Sequence, residues 1–496
     1  MICLSCTETS IDANLQIINK NREFIDLVEI RVDFLNSSEY DGLHTIPDAA
    51  GLPCILTFRK PADGGINTSI SNEERVAVML KALEGGWRYI DIEDDADTDA
   101  ELQLMKAAEA AGTRIILSFH DFTGVPANLA ERMIENSKGD RYIPKAAVMP
   151  ESTADLLRIF DAHRQLSDMR SGSQGFSCTN GPLLSDYILV GMGSVGVPSR
   201  IMASAWGGML TFCSAGSTEA APGHISPAEL VNVYNYNALS GESIVLGIIG
   251  NPVMHSRSPN IHNAAIKSNS LDAVYLPFET DQPELLLSHS AELGLRGLSV
   301  TIPHKQRVKG LADSIDNSVQ AIGACNTLVC NSSTNEWRGY NTDWIGFLKP
   351  LEGMELENRK ALVIGAGGAA RAVVYALVKQ GMDVLIVNRS SEKAISLAAD
   401  FGCRGGGFEL LDDTDDCFPL VVQTTSLGME PNIEDNPVPG FDFSGVETAY
   451  DIIYTPEKTA FLASAESAGC RIINGFPMLK AQAVEQFRLF TGCVME

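Results

Sequence analysis

Leu362-Val363-Ile364-Gly365-Ala366-Gly367-Gly368-Ala369-Ala370-Arg371-Ala372 is the stretch on which the reading of this chain turns. Its apolar run predicts a buried strand, and its glycines turn the chain into an apolar helix running to Lys379. Gly365, Gly367 and Ala370 fit G-x-G-x-x-[GA], the pattern that seats a dinucleotide pyrophosphate on a helix N-terminus, with Gly368 and Ala369 in the same turn. Such turns also occur with no ligand, so the next strand decides. Asp383–Val387 is apolar after its first residue and runs into Asn388-Arg389-Ser390. That lies about 20 residues on, where an NAD enzyme carries an acid for the ribose 2′-hydroxyl. An arginine and a hydroxyl there, with Lys393 one helical turn further, suit a 2′-phosphate instead. The expected cofactor is NADP, held by a Rossmann domain over residues 346–476.

At 496 residues the chain is too long for one ordinary core, and two or three domains are expected. A formal charge of -26 argues against nucleic acid or an anionic membrane as a partner. An anionic substrate would then need local arginine and lysine clusters working against the global field. No apolar run approaches the length of a membrane span. Met1-Ile2-Cys3-Leu4-Ser5-Cys6 enters a strand at once, leaving no room for a leader peptide. The 11 cysteines are scattered, and the one C-x-x-C, Cys3 and Cys6, falls in a strand where that odd spacing points the side chains to opposite faces. No metal site is expected, and reduced thiols in a cytoplasm fit best.

Upstream, residues 1–238 hold eight short apolar runs: Ile2–Cys6, Asp26–Val32, Cys54–Phe58, Tyr89–Glu93, Arg114–Phe119, Ile143–Val148, Tyr187–Met192 and Met209–Cys213. Segments with helical periodicity separate most of them, such as Asn72–Glu84, Ala100–Ala111, Ala127–Asn136 and Thr153–Leu166, whereas the linker Asn36–Gly51 is weak. Eight alternations predict an α/β fold, a (β/α)8 TIM barrel with its chemistry at the C-terminal strand ends. Those ends carry Glu29, Arg31 and Asp33, then Arg59, then His120-Asp121, Lys145, and Gly193 to Arg200. Arginines, a histidine and a lysine on one face suit a small carboxylate. Lys145 is flanked by apolar residues, and burial lowers a lysine's pKa, as an imine-forming amine requires. His120 titrates near neutral pH and suits proton transfer at carbon.

These residues resemble type I 3-dehydroquinate dehydratase over roughly residues 1–238. The motifs are Glu-x-Arg-x-Asp at 29–33, Thr-Phe-Arg at 57–59, His-Asp-Phe at 120–122, the Ile-Pro-Lys strand and Met-Gly-x-x-Gly-x-x-Ser-Arg at 192–200. The resemblance implies a Schiff base from Lys145 to the substrate C3 ketone, with His120 abstracting the C2 proton and assisting loss of the C1 hydroxyl. It assigns Arg200 to the substrate carboxylate and Glu29, Arg31 and Arg59 to the ring hydroxyls and the site's frame. Asp63 stands where the family has a glutamate that orients the histidine, one methylene longer. The lid after strand eight reads Ala220-Ala221-Pro222-Gly223-His224 in place of Ser-Ala-Pro-Gly-Gln, so His224 replaces an amide that faces substrate. Arg170–Ser185 reads as a polar surface insertion.

The second half starts beyond a polar linker, with Asn251-Pro252-Val253-Met254-His255-Ser256-Arg257-Ser258-Pro259 after an apolar run. A small α/β domain is expected over 243–345, completed by a helix within 477–496. Thr301-Ile302-Pro303-His304-Lys305, Ala324-Cys325-Asn326-Thr327 and Tyr340-Asn341-Thr342-Asp343 place a lysine, an amide and a carboxylate near strand ends. Beside an NADP domain, a lysine and an aspartate supply and orient the proton that accompanies hydride transfer to a ketone. In this order the motifs resemble shikimate dehydrogenase from Ile244 onward. The resemblance implies that Lys305 and Asp343 are the catalytic pair and that Ser256 and Ser258 hold the substrate carboxylate. Thr301, Asn326, Tyr454 and Gln482 would line its ring, and Asn388, Arg389, Ser390 and Lys393 would take the 2′-phosphate. Lys393 stands where many relatives place arginine, and Gln423 where asparagine is usual. Both serines and Thr301 favour shikimate over quinate.

Two functions follow. In the first, one chain dehydrates 3-dehydroquinate and then reduces the product, 3-dehydroshikimate, to shikimate. In the second, Asp63, Ala220 and His224 mark an impaired barrel serving as a binding or scaffolding module beside a working dehydrogenase.

Overall fold

The computed structural model describes residues 1–96, 98–171, 186–216, 222–411 and 417–495. Contacts gather into two compact units: Met1–Gly247 with Pro252–Gly294, and Ile248–Asn251 with Leu295–Glu496. Ala220, and the expected insertion from residue 172 onward, lie outside the described residues.

The first unit is built on β1 (Ile2–Cys6), β2 (Leu27–Arg31), β3 (Cys54–Thr57), β4 (Tyr89–Glu93), β5 (Arg114–Asp121), β6 (Tyr142–Val148), β7 (Ile188–Gly191) and β8 (Thr211–Cys213). All the pairings are parallel, in the order β7-β6-β5-β4-β3-β2-β1-β8, so the eight-stranded ladder is open only between β7 and β8. This is the expected α/β barrel. Helices Asn72–Ala82 and Asp99–Ala110 each start on a capping box, Ser71 with Glu74 and Thr98 with Glu101. Each box satisfies two backbone N–H groups that a helix start leaves orphaned. The weak linker holds only a 3₁₀ stretch, Ser37–Thr45, and a short helix, Ile46–Ala50.

The register shows why a polar site forms inside. Side chains alternate along a strand, so one parity of each strand faces the barrel axis. The pairs Ser5↔Glu29, Thr57↔Asp91 and Ser118↔Lys145 share the parity of Cys3↔Leu27, Ile55↔Tyr89 and Ile116↔Ile143. The second set packs with Ile188, Val190, Leu210 and Phe212 into an apolar plug. The first set stands one layer nearer the C-terminal strand ends. Beyond the barrel, the unit takes in the start of β9 (Ile244–Gly250), helix Ser258–Ser268 and β10 (Ala273–Glu279).

The second unit carries β11 (Leu295–Val300), β12 (Ser314–Ile315), β13 (Thr327–Cys330) and β14 (Trp337–Tyr340), with β11, β13, β14 and β12 adjacent in that order. It also holds β15 (Lys360–Ile364), β16 (Asp383–Val387), β17 (Arg404–Gly406), β18 (Leu420–Gln423), β19 (Thr448–Asp451) and β20 (Arg471–Ile473). These six are all parallel, in the order β17-β16-β15-β18-β19-β20. That is the doubly wound dinucleotide-binding order, with its topological switch between β15 and β18. Apolar side chains of both parities explain why helices cover both faces. Val363, Val384 and Val422 bury against Val373, Val374 and Leu377, while Leu362, Leu385 and Val421 bury against Phe461 and Leu462. Each such side chain contributes about 1.5–3 kcal/mol on leaving water. Among the described residues no helix is long and apolar enough to cross a membrane.

Candidate active sites

Lys145 is buried at the barrel's centre, as expected, yet its amine does not end among apolar atoms. Nζ donates to Asp91 Oδ2 at 2.7 Å and lies 3.5 Å from Glu29 Oε1, with the Phe212 ring 4.3 Å below. The apolar flanks of the strand supply burial, and inward-facing carboxylates of β2 and β4 supply counter-charge. Glu29 is fixed in turn by Ser5 Oγ at 2.8 Å and Thr57 Oγ1 at 3.0 Å. Burial disfavours the Asp91 carboxylate, but Arg59 and Lys145 outweigh it and hold its carboxyl far below the usual range. Arg59 reaches Asp91 at 2.9 Å, Glu93 at 3.3 Å and Ser118 Oγ at 2.7 Å, so its charge orders carboxylates inside the protein. Arg31 grips Asp33 through two hydrogen bonds, at 2.9 and 2.8 Å. Of the expected arginine cluster, two members are thus neutralised locally.

His120 follows the same parity one step further up β5. Its Nδ1 is buried 3.4 Å from Asp63 Oδ1, close enough for charge to be felt but without a hydrogen bond. Burial, then the charges of Arg59 and Lys145, hold its imidazole well below the ordinary histidine value. Burial and the Glu93 charge push the Asp63 carboxyl up to about 6. Arg200, buried in helix Gly193–Ile201, donates from Nη2 to the Pro222 carbonyl at 3.4 Å. His224 stands beside it in the lid, and burial together with Arg200, Arg31 and Lys145 keeps it neutral.

In the second unit, Lys305 Nζ donates to Asp343 Oδ2 at 2.6 Å. Asn326 Nδ2 donates to Asp343 Oδ1 at 2.8 Å and to Gln482 Oε1 at 3.3 Å, while Asn326 Oδ1 accepts the Thr342 N–H at 2.8 Å. The expected lysine, aspartate, asparagine and glutamine therefore form one network, and Thr342 joins it unforeseen. Thr301 is half-buried just past β11, and Tyr454 half-buried in the turn past β19. Ser256 and Ser258 belong to the first unit, where the Ser258 N–H donates to Ser256 Oγ at 3.2 Å.

The glycine turn follows β15 at the switch point. Gly365 has φ +114°, and a Cβ there would stand 2.5 Å from Thr424 Oγ1. Nothing lies within 4 Å of a Cβ built on Gly367, and one on Gly368 would meet only Lys305, at 3.8 Å. The backbone at the start of helix Gly368–Lys379 is thus bare enough for a pyrophosphate, with Ala369 in its first turn and Ala370 packed into the core. At the end of β16, Asn388 Nδ2 donates to the Ser390 carbonyl at 3.0 Å, and Arg389 and Lys393 are exposed. The strand end itself carries Asn388, Arg389 and Ser390 in place of an acid. The donor set fits a 2′-phosphate, although Ser390 Oγ donates to Glu392 at 2.9 Å and must leave it to join. Gln423 folds back on its own loop, donating to the Leu427 carbonyl at 3.0 Å.

The residues missed from sequence are Asp91, Glu93, Ser118 and Thr342. The first two were visible as alternating carboxylates in Tyr89-Ile90-Asp91-Ile92-Glu93. In a barrel that parity is interior, whereas the same pattern in an open sheet is a solvated face.

Family models match along most of the chain: type I 3-dehydroquinase over residues 2–240, the shikimate dehydrogenase substrate binding domain over 248–328, and shikimate / quinate 5-dehydrogenase over 349–420. The chain is 32% identical to the chloroplastic bifunctional 3-dehydroquinate dehydratase/shikimate dehydrogenase of Arabidopsis thaliana, an alignment covering 99% of this chain and 82% of that one. It is 40% identical to the NADP(+) shikimate dehydrogenase of Carboxydothermus hydrogenoformans, over 51% of this chain and 94% of the relative. Among solved structures, a Thermus thermophilus shikimate 5-dehydrogenase in complex with NADP(H) and shikimate is 34% identical, with a TM-score of 0.47 over 51% of this chain and 95% of that one.

Proposed function

Because the chain belongs to the family of bifunctional 3-dehydroquinate dehydratase/shikimate dehydrogenases, we propose that it dehydrates 3-dehydroquinate and reduces the resulting 3-dehydroshikimate to shikimate, using the residues described above. The observation that carries the reading is that each candidate site sets a lysine against a buried aspartate, Lys145 on Asp91 at 2.7 Å and Lys305 on Asp343 at 2.6 Å. We assign the dehydratase to 1–238, the shikimate-binding part to 243–345 with the helix inside 477–496, and the NADP-binding part to 346–476. Ten free cysteines among the described residues support a reducing compartment, the cytoplasm.

In the barrel, the Lys145 amine adds to the C3 ketone of 3-dehydroquinate while its proton passes through neutral His120 to the ketone oxygen, which leaves as one water; Asp91 stays ionised as the counter-charge of the cationic imine. The cationic imine acidifies the C2 hydrogen, which neutral His120 removes. Protonated His120 then gives that proton to the departing C1 hydroxyl, which leaves as a second water. Addition of water to the imine returns Lys145 and 3-dehydroshikimate. Arg200 holds the substrate carboxylate, Glu29, Arg31 and Arg59 frame the ring, and His224 faces it from the lid.

In the second enzyme, Gly365, Gly367, Gly368, Ala369 and Ala370 would hold the pyrophosphate of NADPH, and Asn388, Arg389, Ser390 and Lys393 its 2′-phosphate. The bound nucleotide supplies a hydride. Lys305 donates its proton to the C3 alkoxide oxygen as charge develops there, and Asp343 holds the ammonium in line. Asn326 orients Asp343 through its side-chain amide, while Thr301, Gln482 and Tyr454 bind the ring hydroxyls. Ser256 and Ser258 hold the carboxylate and favour shikimate over quinate.

A second reading, an impaired barrel kept as a binding module, draws on the 3.4 Å gap between Asp63 and His120. Borohydride reduction in the presence of 3-dehydroquinate separates the two. The dehydratase forms one covalent adduct on Lys145, and a folded protein that never forms it would leave only the binding module.

A further inference from the structure

Glu279, the last residue of β10, ties together two loops that serve different reactions. We propose that it is a positioning residue through which the dehydratase lid and helix Gly193–Ile201 set the geometry of the loop carrying Ser256 and Ser258. This rests on the assignment of those serines to the shikimate carboxylate. On the barrel side, the Gly193 N–H donates to the Pro222 carbonyl at 3.0 Å, the carbonyl that Arg200 also holds. Gly223 has φ +77°, and a Cβ on it would stand 2.6 Å from the Gly193 carbonyl oxygen. Described lid residues and helix start are therefore in direct contact, with the carboxylate-binding Arg200 on the same helix.

The next residue, Ser194, donates from Oγ to Glu279 Oε1 at 2.5 Å. The other carboxylate oxygen, Oε2, accepts the Val253 N–H at 3.2 Å. The Val253 carbonyl accepts the Ser256 N–H at 3.0 Å, and Ser256 Oγ accepts the Ser258 N–H at 3.2 Å. One carboxylate thus closes an unbroken hydrogen-bonded chain from Pro222 to Ser258, all within the first compact unit. The following residue, Thr280, is buried with its hydroxyl against buried Thr153 of helix Thr153–Ser171, which anchors this end of β10 to the barrel. Two polar atoms on one side chain are what the position needs, because its partners, Ser194 Oγ and the Val253 N–H, come from separate loops. Glutamine preserves both links, its oxygen accepting from Val253 and its amide donating to Ser194 Oγ; alanine preserves neither.

The test uses the intact protein oxidising shikimate with NADP+. Glu279→Ala should raise KM for shikimate by about three- to ten-fold with kcat nearly unchanged, and Glu279→Gln should restore it. Ser256→Ala should raise KM as well. Reducing 3-dehydroshikimate onto Lys145 should change the wild-type KM for shikimate at least about two-fold. In Ser194→Ala, which leaves the shikimate loop bonded to Glu279, that change should vanish. If Ser256→Ala raises KM while Glu279→Ala does not, the positioning role is wrong. If the adduct shifts KM equally in wild type and Ser194→Ala, or in neither, the coupling is wrong. If Ser256→Ala itself has no effect, the serine assignment fails, and this inference with it.

Discussion

His120 sits in the field of Arg59, Lys145 and Arg31, whose charges add to burial in keeping its imidazole neutral. A lowered pKa means the base form persists to more acidic pH, so the acid limb of dehydratase kcat/KM should lie below the ordinary histidine value of about 6.5. Asp63→Glu adds the methylene needed to close the 3.4 Å gap to Nδ1. A bonded carboxylate favours the imidazolium, so the limb should move to higher pH; a pH–rate profile that stays put would contradict the geometry. In the second enzyme, Asp343→Asn removes the charge that holds Lys305, and shikimate oxidation should fall about 10²–10⁴-fold in kcat while dehydratase turnover is unchanged. At this scale the sequence was legible where chemistry and motif coincide, at Lys145, His120, Lys305 and Asp343. It was illegible at Asp91, whose role comes from parity across separate strands. The apolar run around Lys145 also misdirected the reading, because flanks in sequence are not neighbours of Nζ.

The glycine turn is the element whose structure follows most directly from its sequence. Gly365→Ala would strain a φ of +114° and push Cβ onto Thr424, whose hydroxyl already donates to the Ile364 carbonyl at 2.7 Å. It should lower Tm and raise KM for NADPH at least about ten-fold, since a residue forced into this conformation costs on the order of 1–3 kcal/mol. Arg389→Ala should raise KM for NADP+ about ten- to a hundred-fold and leave that for NAD+ unchanged, because a charged hydrogen bond to phosphate is worth about 1.5–3 kcal/mol. Equal loss with both nucleotides would place the arginine elsewhere. The barrel strands were legible to within about two residues because apolar runs and helical periods alternate cleanly there, whereas helix Thr153–Ser171 outruns its expected end at Leu166 through mostly polar residues. The linker Asn36–Gly51 had no such period and holds mostly 3₁₀ structure.

Across the whole molecule, order along the chain made the two halves readable, whereas the division into compact units was not. Pro252–Gly294 groups with the barrel by contact, and Glu279 and Thr280 of β10 supply two of the links, between residues about 85 and 127 positions apart. No local pattern announces a single carboxylate serving two distant loops. In the proposed function one chain runs two consecutive reactions, each from its own lysine. Lys145→Ala leaves Asp91 paired with Arg59 at 2.9 Å, so the barrel keeps a partner for its buried charge. The direct measurement is NADPH absorbance after adding 3-dehydroquinate or 3-dehydroshikimate to wild type and to this variant. Wild type should consume NADPH with either substrate, and Lys145→Ala with 3-dehydroshikimate alone. Wild type that responds only to 3-dehydroshikimate would mean that the barrel carries out no dehydration.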